Sequence, residues 1–273
     1  MSTPIIPQSL SGMEASRARN LEEQPALAVE NVSVEYRSYK ERPTSLKESV
    51  IRFIRKGEFQ PYSVFRALSD VSFSIPHGSV FGIIGSNGSG KSTLLKVLSG
   101  VLKPTAGSVR SSGPISSMIE LGAGFDRELT GEENIYLNGS LYRRSRSEIK
   151  ARVPHILAFA ELQEFAATPV KYYSSGMYAR LGFAVAVDIP PDILVVDEIL
   201  GVGDERFQAK CRQVFENLVK MGKTVVIVTH DLDQLREFAD TALLLAKGRV
   251  VFLGNTAEAI EKYRSPEYQS MLA

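Results

Sequence analysis

Nine residues, "GSNGSGKST" from Gly85 to Thr93, constrain the fold of this chain more than any others. They match the spacing G-x-x-x-x-G-K-[ST]. Gly85, Gly88 and Gly90 free the backbone to take dihedrals that turn the N–H groups of Ser86, Asn87, Ser89 and their neighbours inward around phosphate oxygens. The stretch "KSTLLKVLSGVL" that follows has helical character, so a helix N-terminus points its positive end at the same anion. At this spacing Lys91 reaches the β- and γ-phosphates, and Ser92 offers a hydroxyl to Mg²⁺. Before the loop, "SVFGIIG" is short, apolar and β-rich. A strand, a glycine loop and a helix in that order are the context this motif requires.

Two further apolar runs, "DILVVDE" and "TVVIVTH", have strand length and no alternation. Such runs suit strands buried on both faces of a parallel sheet. Helical segments such as "RFQAKCRQVFENLVKMG" lie between them, which predicts an α/β fold. Asp197 ends the first run, so its carboxylate is expected at the carboxyl edge of the sheet, where phosphate ligands sit and where it suits Mg²⁺. Glu198 beside it is placed to orient or deprotonate an attacking water. His230 ends the second run and is expected near Glu198 and the γ-phosphate. His77 and His155 have no such context. "ALAVENVSVEYR" and "FRALSDVSFSIPHG" alternate as half-buried strands, and "ALLLAKGRVVFLGN" reads as a hairpin near the end. Residues from about 130 to 188 carry no clear strand and are expected to be mostly helical.

Composition narrows the class. The 273 residues carry a net charge of +1, which argues against nucleic acid as a partner for the chain as a whole. One cysteine, Cys211, excludes an internal disulfide framework and fits a reducing compartment; its helical pattern makes it a core residue. There is no basic segment followed by a long apolar run at the N-terminus, and no window of ~18 uninterrupted apolar residues.

"YYSSGMYARLGFAVA", Tyr172 to Ala186, opens a second helix on Ser-Ser-Gly, a second anion-binding N-terminus. A dimer would use both, each subunit closing its Ser-Gly helix end over the nucleotide held by the other. At this point the chain resembles the ATP-binding subunits of ABC transporters, over residues from about 27 to 256. The family signature is Leu-Ser-Gly-Gly-Gln, and Tyr173 to Met177 reads Tyr-Ser-Ser-Gly-Met. Ser174 and Gly176 keep the phosphate-contacting positions, while Ser175 and Met177 depart from the consensus. The resemblance implies a P-loop NTPase (RecA-like) α/β core with an antiparallel β portion and an inserted helical subdomain at about 127–187. A polar mobile tail over 1–26 and a C-terminal helix and tail over 257–273 flank it. It also implies a head-to-tail homodimer with two ATP molecules in its interface. Tyr36 matches the position whose ring stacks on adenine, and Asp204 in "GVGDERF" matches the loop that crosses the interface. Where the family places a Gln that touches Mg²⁺, this chain has Glu120.

"IELGAGFDRELTGEENIYLNG" and "DEILGVGDERF" resemble one branch, the ATPases that export lipid-linked surface polysaccharides such as O-antigen and teichoic acid. That branch carries an amphipathic helix between its first two strands, where "PTSLKESVIRFIRKG" lies. Here Ser45 and Glu48 form a capping-box pattern and Leu46, Val50, Ile51, Phe53 and Ile54 share one face. Arg52, Arg55 and Lys56 crowd the other face, positioned for anionic head groups or the diphosphate of a lipid-linked glycan. The implied place of work is the cytoplasmic face of the inner membrane, on a permease. A separate C-terminal sugar-binding domain, present in some members, is not expected. The alternative, a soluble ABC ATPase acting on ribosomes or DNA, calls for tandem cores or long coiled coils, and the sequence has one core and no sustained heptads. An import ATPase with a regulatory domain is a third, less fitting reading.

Overall fold

The computed structural model describes residues 24–39, 62–118, 121–122, 124–141, 143–188, 191–197, 203–229 and 231–272. The basic helix expected at 43–57, with Arg52, Arg55 and Lys56, lies outside these residues, as do Glu120, Glu198 and His230.

Four apolar runs make the centre of the fold. β3 (Val80–Gly85), β6 (Ile193–Asp197), β7 (Thr224–Val228) and β8 (Thr241–Ala246) are buried almost throughout. With β5 (Ile115–Met118) and β9 (Arg249–Asn255) they form a six-stranded sheet in the order β5-β6-β7-β3-β8-β9. All neighbours are parallel except the edge pair β8–β9, which is the hairpin expected from the sequence. The continuous hydrophobicity has a direct cause: successive side chains point to opposite faces, and both faces are covered. Val195, Val226, Val228, Ile83 and Leu243 enter one core, while Leu194, Val225, Ile227, Ile84 and Leu244 enter the other. Each such side chain stabilises the fold by about 1.5–3 kcal/mol when fully buried.

The first core is closed by a three-stranded antiparallel sheet, order β2-β1-β4, and by helix α1 (Lys91–Leu98). Its strands are β1 (Leu27–Tyr39), β2 (Tyr62–Ile75) and β4 (Ala106–Ser111). β2 starts three residues before the alternating stretch that predicted it. Tyr62 to Val64 are exposed, so pairing with β1 rather than burial extends the strand.

Helices α5 (Glu205–Lys220), α6 (Leu232–Phe238), α7 (Thr256–Arg264) and α8 (Pro266–Leu272) contribute to the second core. Between β5 and β6 the chain forms a helical layer with its own core: α2 (Gly131–Leu141), α3 (Arg146–Ala160) and α4 (Ser175–Asp188). α3 starts where it does because Ser145 and Glu148 form a capping box that satisfies two orphan N–H groups. Among the described residues no helix is long and apolar enough to cross a membrane.

Candidate functional site

The phosphate loop joins β3 to α1, as its spacing requires. Gly90 caps α1 with φ 108°, in the left-handed half of the map. A Cβ there would lie 2.8 Å from the Ala67 carbonyl oxygen and 2.9 Å from Leu68 Cδ2, so the position demands glycine twice over. The Ser89 N–H donates to the Ser86 carbonyl at 3.1 Å, which closes the loop on itself. The Lys91 ammonium lies across the loop and donates to the carbonyls of Gly85 (2.7 Å) and Ser86 (2.9 Å). Ser92 is exposed and Thr93 half-buried in the first turn of α1, and Asn87 and Gly88 are exposed at the loop's tip.

The sheet register brings Asp197 to this loop. Ile83 pairs with Val228 across β3–β7, and Val228 pairs with Asp197 across β7–β6. Asp197 is therefore level with Ile83, two residues before the end of β3 at Gly85, and two strand spacings or about 10 Å away from it. A half-buried carboxylate and an exposed hydroxyl on the next helix are hard oxygen donors, the set that suits a Mg²⁺ ion which keeps several of its waters.

Five other sequence-predicted residues, Tyr36, Ser174, Ser175, Gly176 and Asp204, stand on or beside three different elements. Tyr36 sits on β1 directly opposite Phe65 of β2, and both rings are exposed, by 41% and 61%. The two strands thus present an aromatic pair, a surface on which a planar base can stack. Ser174 precedes α4 and accepts from the Met177 N–H at 3.1 Å, so Ser175 and Gly176 form the open first turn of a helix in the helical layer. Asp204 caps α5, accepting from the Phe207 N–H at 2.9 Å, and pairs with Arg180 of α4 at 2.6 Å. The Phe207 N–H, and then the Arg180 charge, hold the Asp204 carboxyl below its ordinary range. Within this chain, Asp204 and the helix that starts at Ser175 are joined through Arg180. The phosphate loop and Asp197 share the sheet edge.

Sequence reasoning missed two contacts with the loop. The Gly248 N–H in the β8–β9 turn donates to the Ser89 carbonyl, and the Gly248 carbonyl accepts from the Ser69 N–H, both at 2.8 Å. Tyr268 of α8 accepts from the Ser86 N–H with its hydroxyl at 2.9 Å, so that N–H does not turn inward to phosphate as the motif alone leads one to expect. Neither has a local signal, because the partners are more than 150 residues apart.

Comparison with known proteins agrees with the geometry. The ABC transporter family model matches residues 68–201. An O-antigen export system ATP-binding protein, RfbB, from Myxococcus xanthus is 44% identical over 81% of this chain and 51% of that protein. A protein of the same name from Klebsiella pneumoniae is 40% identical over 88% of this chain and 98% of its own length. A teichoic acids export ATP-binding protein, TagH, from Bacillus cereus is 40% identical over 89% of this chain and 43% of that protein. The chain thus spans about half of the Myxococcus relative, less than half of the Bacillus one and nearly all of the Klebsiella one. Among solved structures, a dimeric ATP-binding cassette in a post-hydrolysis state, bound to ADP and Pi, superposes with a TM-score of 0.66. The two share 26% identity, over 84% of this chain and 98% of that one. The α/β sheet with its phosphate loop and the identity along most of the Klebsiella protein lead to one conclusion: the chain belongs to the ABC transporter family, among its ATP-binding ATPases.

Proposed function

We propose that the chain is the ATP-hydrolysing motor of an exporter for lipid-linked polysaccharide. It works as a head-to-tail homodimer on membrane permease subunits at the cytoplasmic face of the cell membrane. The observation that carries the hydrolytic half is the alignment of Asp197 with Ile83 of β3, two residues before the phosphate loop begins at Gly85. The export half rests on the names of the relatives, which export O-antigen or teichoic acids. Those names do not favour a soluble ATPase on ribosomes or DNA.

Each residue then has a task. The loop from Gly85 to Thr93 holds the phosphates through backbone N–H groups other than those of Ser86 and Ser89, which Tyr268 and the Ser86 carbonyl take, and Lys91 exchanges its loop carbonyls for the β- and γ-phosphate oxygens. Ser92, Asp197 and Glu120 would hold Mg²⁺, which would offset charge on the transferring phosphoryl group. Glu198 orients and deprotonates the attacking water, and His230 steadies it against the γ-phosphate. Tyr36, backed by Phe65, stacks on adenine. Ser174, Ser175 and Gly176 cover the partner's nucleotide, and Asp204 lies at the interface. Arg52, Arg55 and Lys56 meet anionic head groups or the glycan's diphosphate.

Steady-state ATP hydrolysis with a binding assay tests the core of this reading. Glu198→Gln is expected to retain ATP binding and to lose turnover by about a hundredfold or more, the scale set by general-base catalysis. Wild-type hydrolysis in that variant would place the base elsewhere. Charge reversal at Arg52 and Arg55 is expected to reduce surface polysaccharide in cells, and unchanged export would remove the head-group or diphosphate role from these residues.

A further inference from the structure

The Ser86 N–H does not face the inside of the phosphate loop. It donates at 2.9 Å to the hydroxyl of Tyr268, a residue 182 positions later on α8 and only 2% exposed. The same hydroxyl donates at 2.7 Å to the Leu245 carbonyl of β8. Leu245 is the register partner of Gly85, the last pair between β3 and β8. The tyrosine hydroxyl therefore bridges the two strands one step beyond their final backbone pair.

The effect on the loop follows from peptide geometry. In a trans peptide the N–H and C=O point in opposite directions. Holding the Ser86 N–H toward α8 turns the Gly85 carbonyl to the other side, where it accepts from Lys91. The Gly85–Ser86 peptide is thus fixed from both ends, by Tyr268 and by Lys91. When Lys91 leaves for a phosphate, only the tyrosine end of that clamp persists. We propose that Tyr268 is a positioning residue for the nucleotide site: its hydroxyl, delivered by the C-terminal helix, fixes the first turn of the phosphate loop, so that docking of α8 sets nucleotide affinity. The proposal rests on the ATP-binding reading of the loop.

Tyr268→Phe removes the hydroxyl and keeps the ring, which packs on Tyr263 at 5.3 Å between centroids. Two measurements decide the matter. Amide hydrogen exchange, read by NMR on the nucleotide-free protein, is expected to be at least about tenfold faster at Ser86 in the variant, since a lost bond unlocks that N–H. Equilibrium ATP binding is expected to weaken about fivefold to tenfold, the range of one hydrogen bond. In a Ser86→Pro background, where no N–H exists, Tyr268→Phe should change affinity less than twofold. Unchanged exchange at Ser86 overturns the tether, and unchanged ATP affinity overturns its consequence. An undiminished affinity loss in the Ser86→Pro background overturns it too, because the hydroxyl would then act through Leu245 alone. If Ser86→Pro does not fold, exchange and affinity in the single variant decide. If the wild-type chain binds no ATP, the ATPase reading fails while the exchange arm still tests the tether.

Discussion

At the scale of single residues, Gly90 and Cys211 show two kinds of legibility. Gly90 was readable because a phosphate loop needs glycine there, and the left-handed φ and the Ala67 carbonyl at 2.8 Å from a Cβ give the reason. Gly90→Ala is expected to cost about 1–3 kcal/mol from backbone strain, seen as a lower midpoint in thermal or urea unfolding. Cys211 was readable from helical spacing alone, and it is fully buried. Burial pushes its thiol up to about 12 from an ordinary 9.0. In the unfolded chain the thiol ionises first, so its contribution to stability is whole below 9.0 and lost as pH rises toward 12. At pH 8 Cys211 should resist alkylation in the native protein and react fully in denaturant, with mass spectrometry as the readout. Tyr268 lacked any such signal. A hydroxyl that reaches a loop 182 residues away leaves no period or motif in its own neighbourhood.

At the scale of elements, the buried strands and the amphipathic α5 were legible, and the weakly patterned edges were not. β4 is exposed at five of its six positions, so no alternation marks it. α6 has seven residues and too few turns to show a period. The joint between the helical layer and α5 is also a product of tertiary structure. Glu161, just beyond α3, accepts from Lys210 of α5 and pairs with Arg180 of α4 at 3.3 Å. Arg180 lies over the Phe207 ring at 5.3 Å and continues to Asp204. The Lys210 hydrogen bond holds the Glu161 carboxyl below its ordinary 4.5. A depressed carboxylate contributes stability above its unfolded value, and this is lost as pH falls through the folded one. Glu161→Gln should therefore melt lower than wild type at pH 7, and the gap should narrow progressively as pH falls below 4.5 in a series of thermal melts. A gap that stays constant with acid would make Glu161 a packing residue only.

At the scale of the whole molecule, the aromatic pair at Tyr36 and Phe65, the phosphate loop and the Ser174–Gly176 helix end stand on three different layers. Light scattering of Glu198→Gln is expected to show one chain without nucleotide and two with ATP and Mg²⁺. A single-chain mass with ATP bound would reduce Ser174 to a helix cap. The loop itself is held by both far ends of the fold: β3 and α1 build it, while Gly248 and Tyr268 brace it. That arrangement sets a clock on synthesis. A ribosome adding about 5–20 residues per second needs roughly 10–40 s to travel from Ser86 to Tyr268. Through that interval a nascent chain carries the full glycine motif without its brace. ATP capture should therefore switch on late in translation, and stalled chains that end before Tyr268 should bind it poorly.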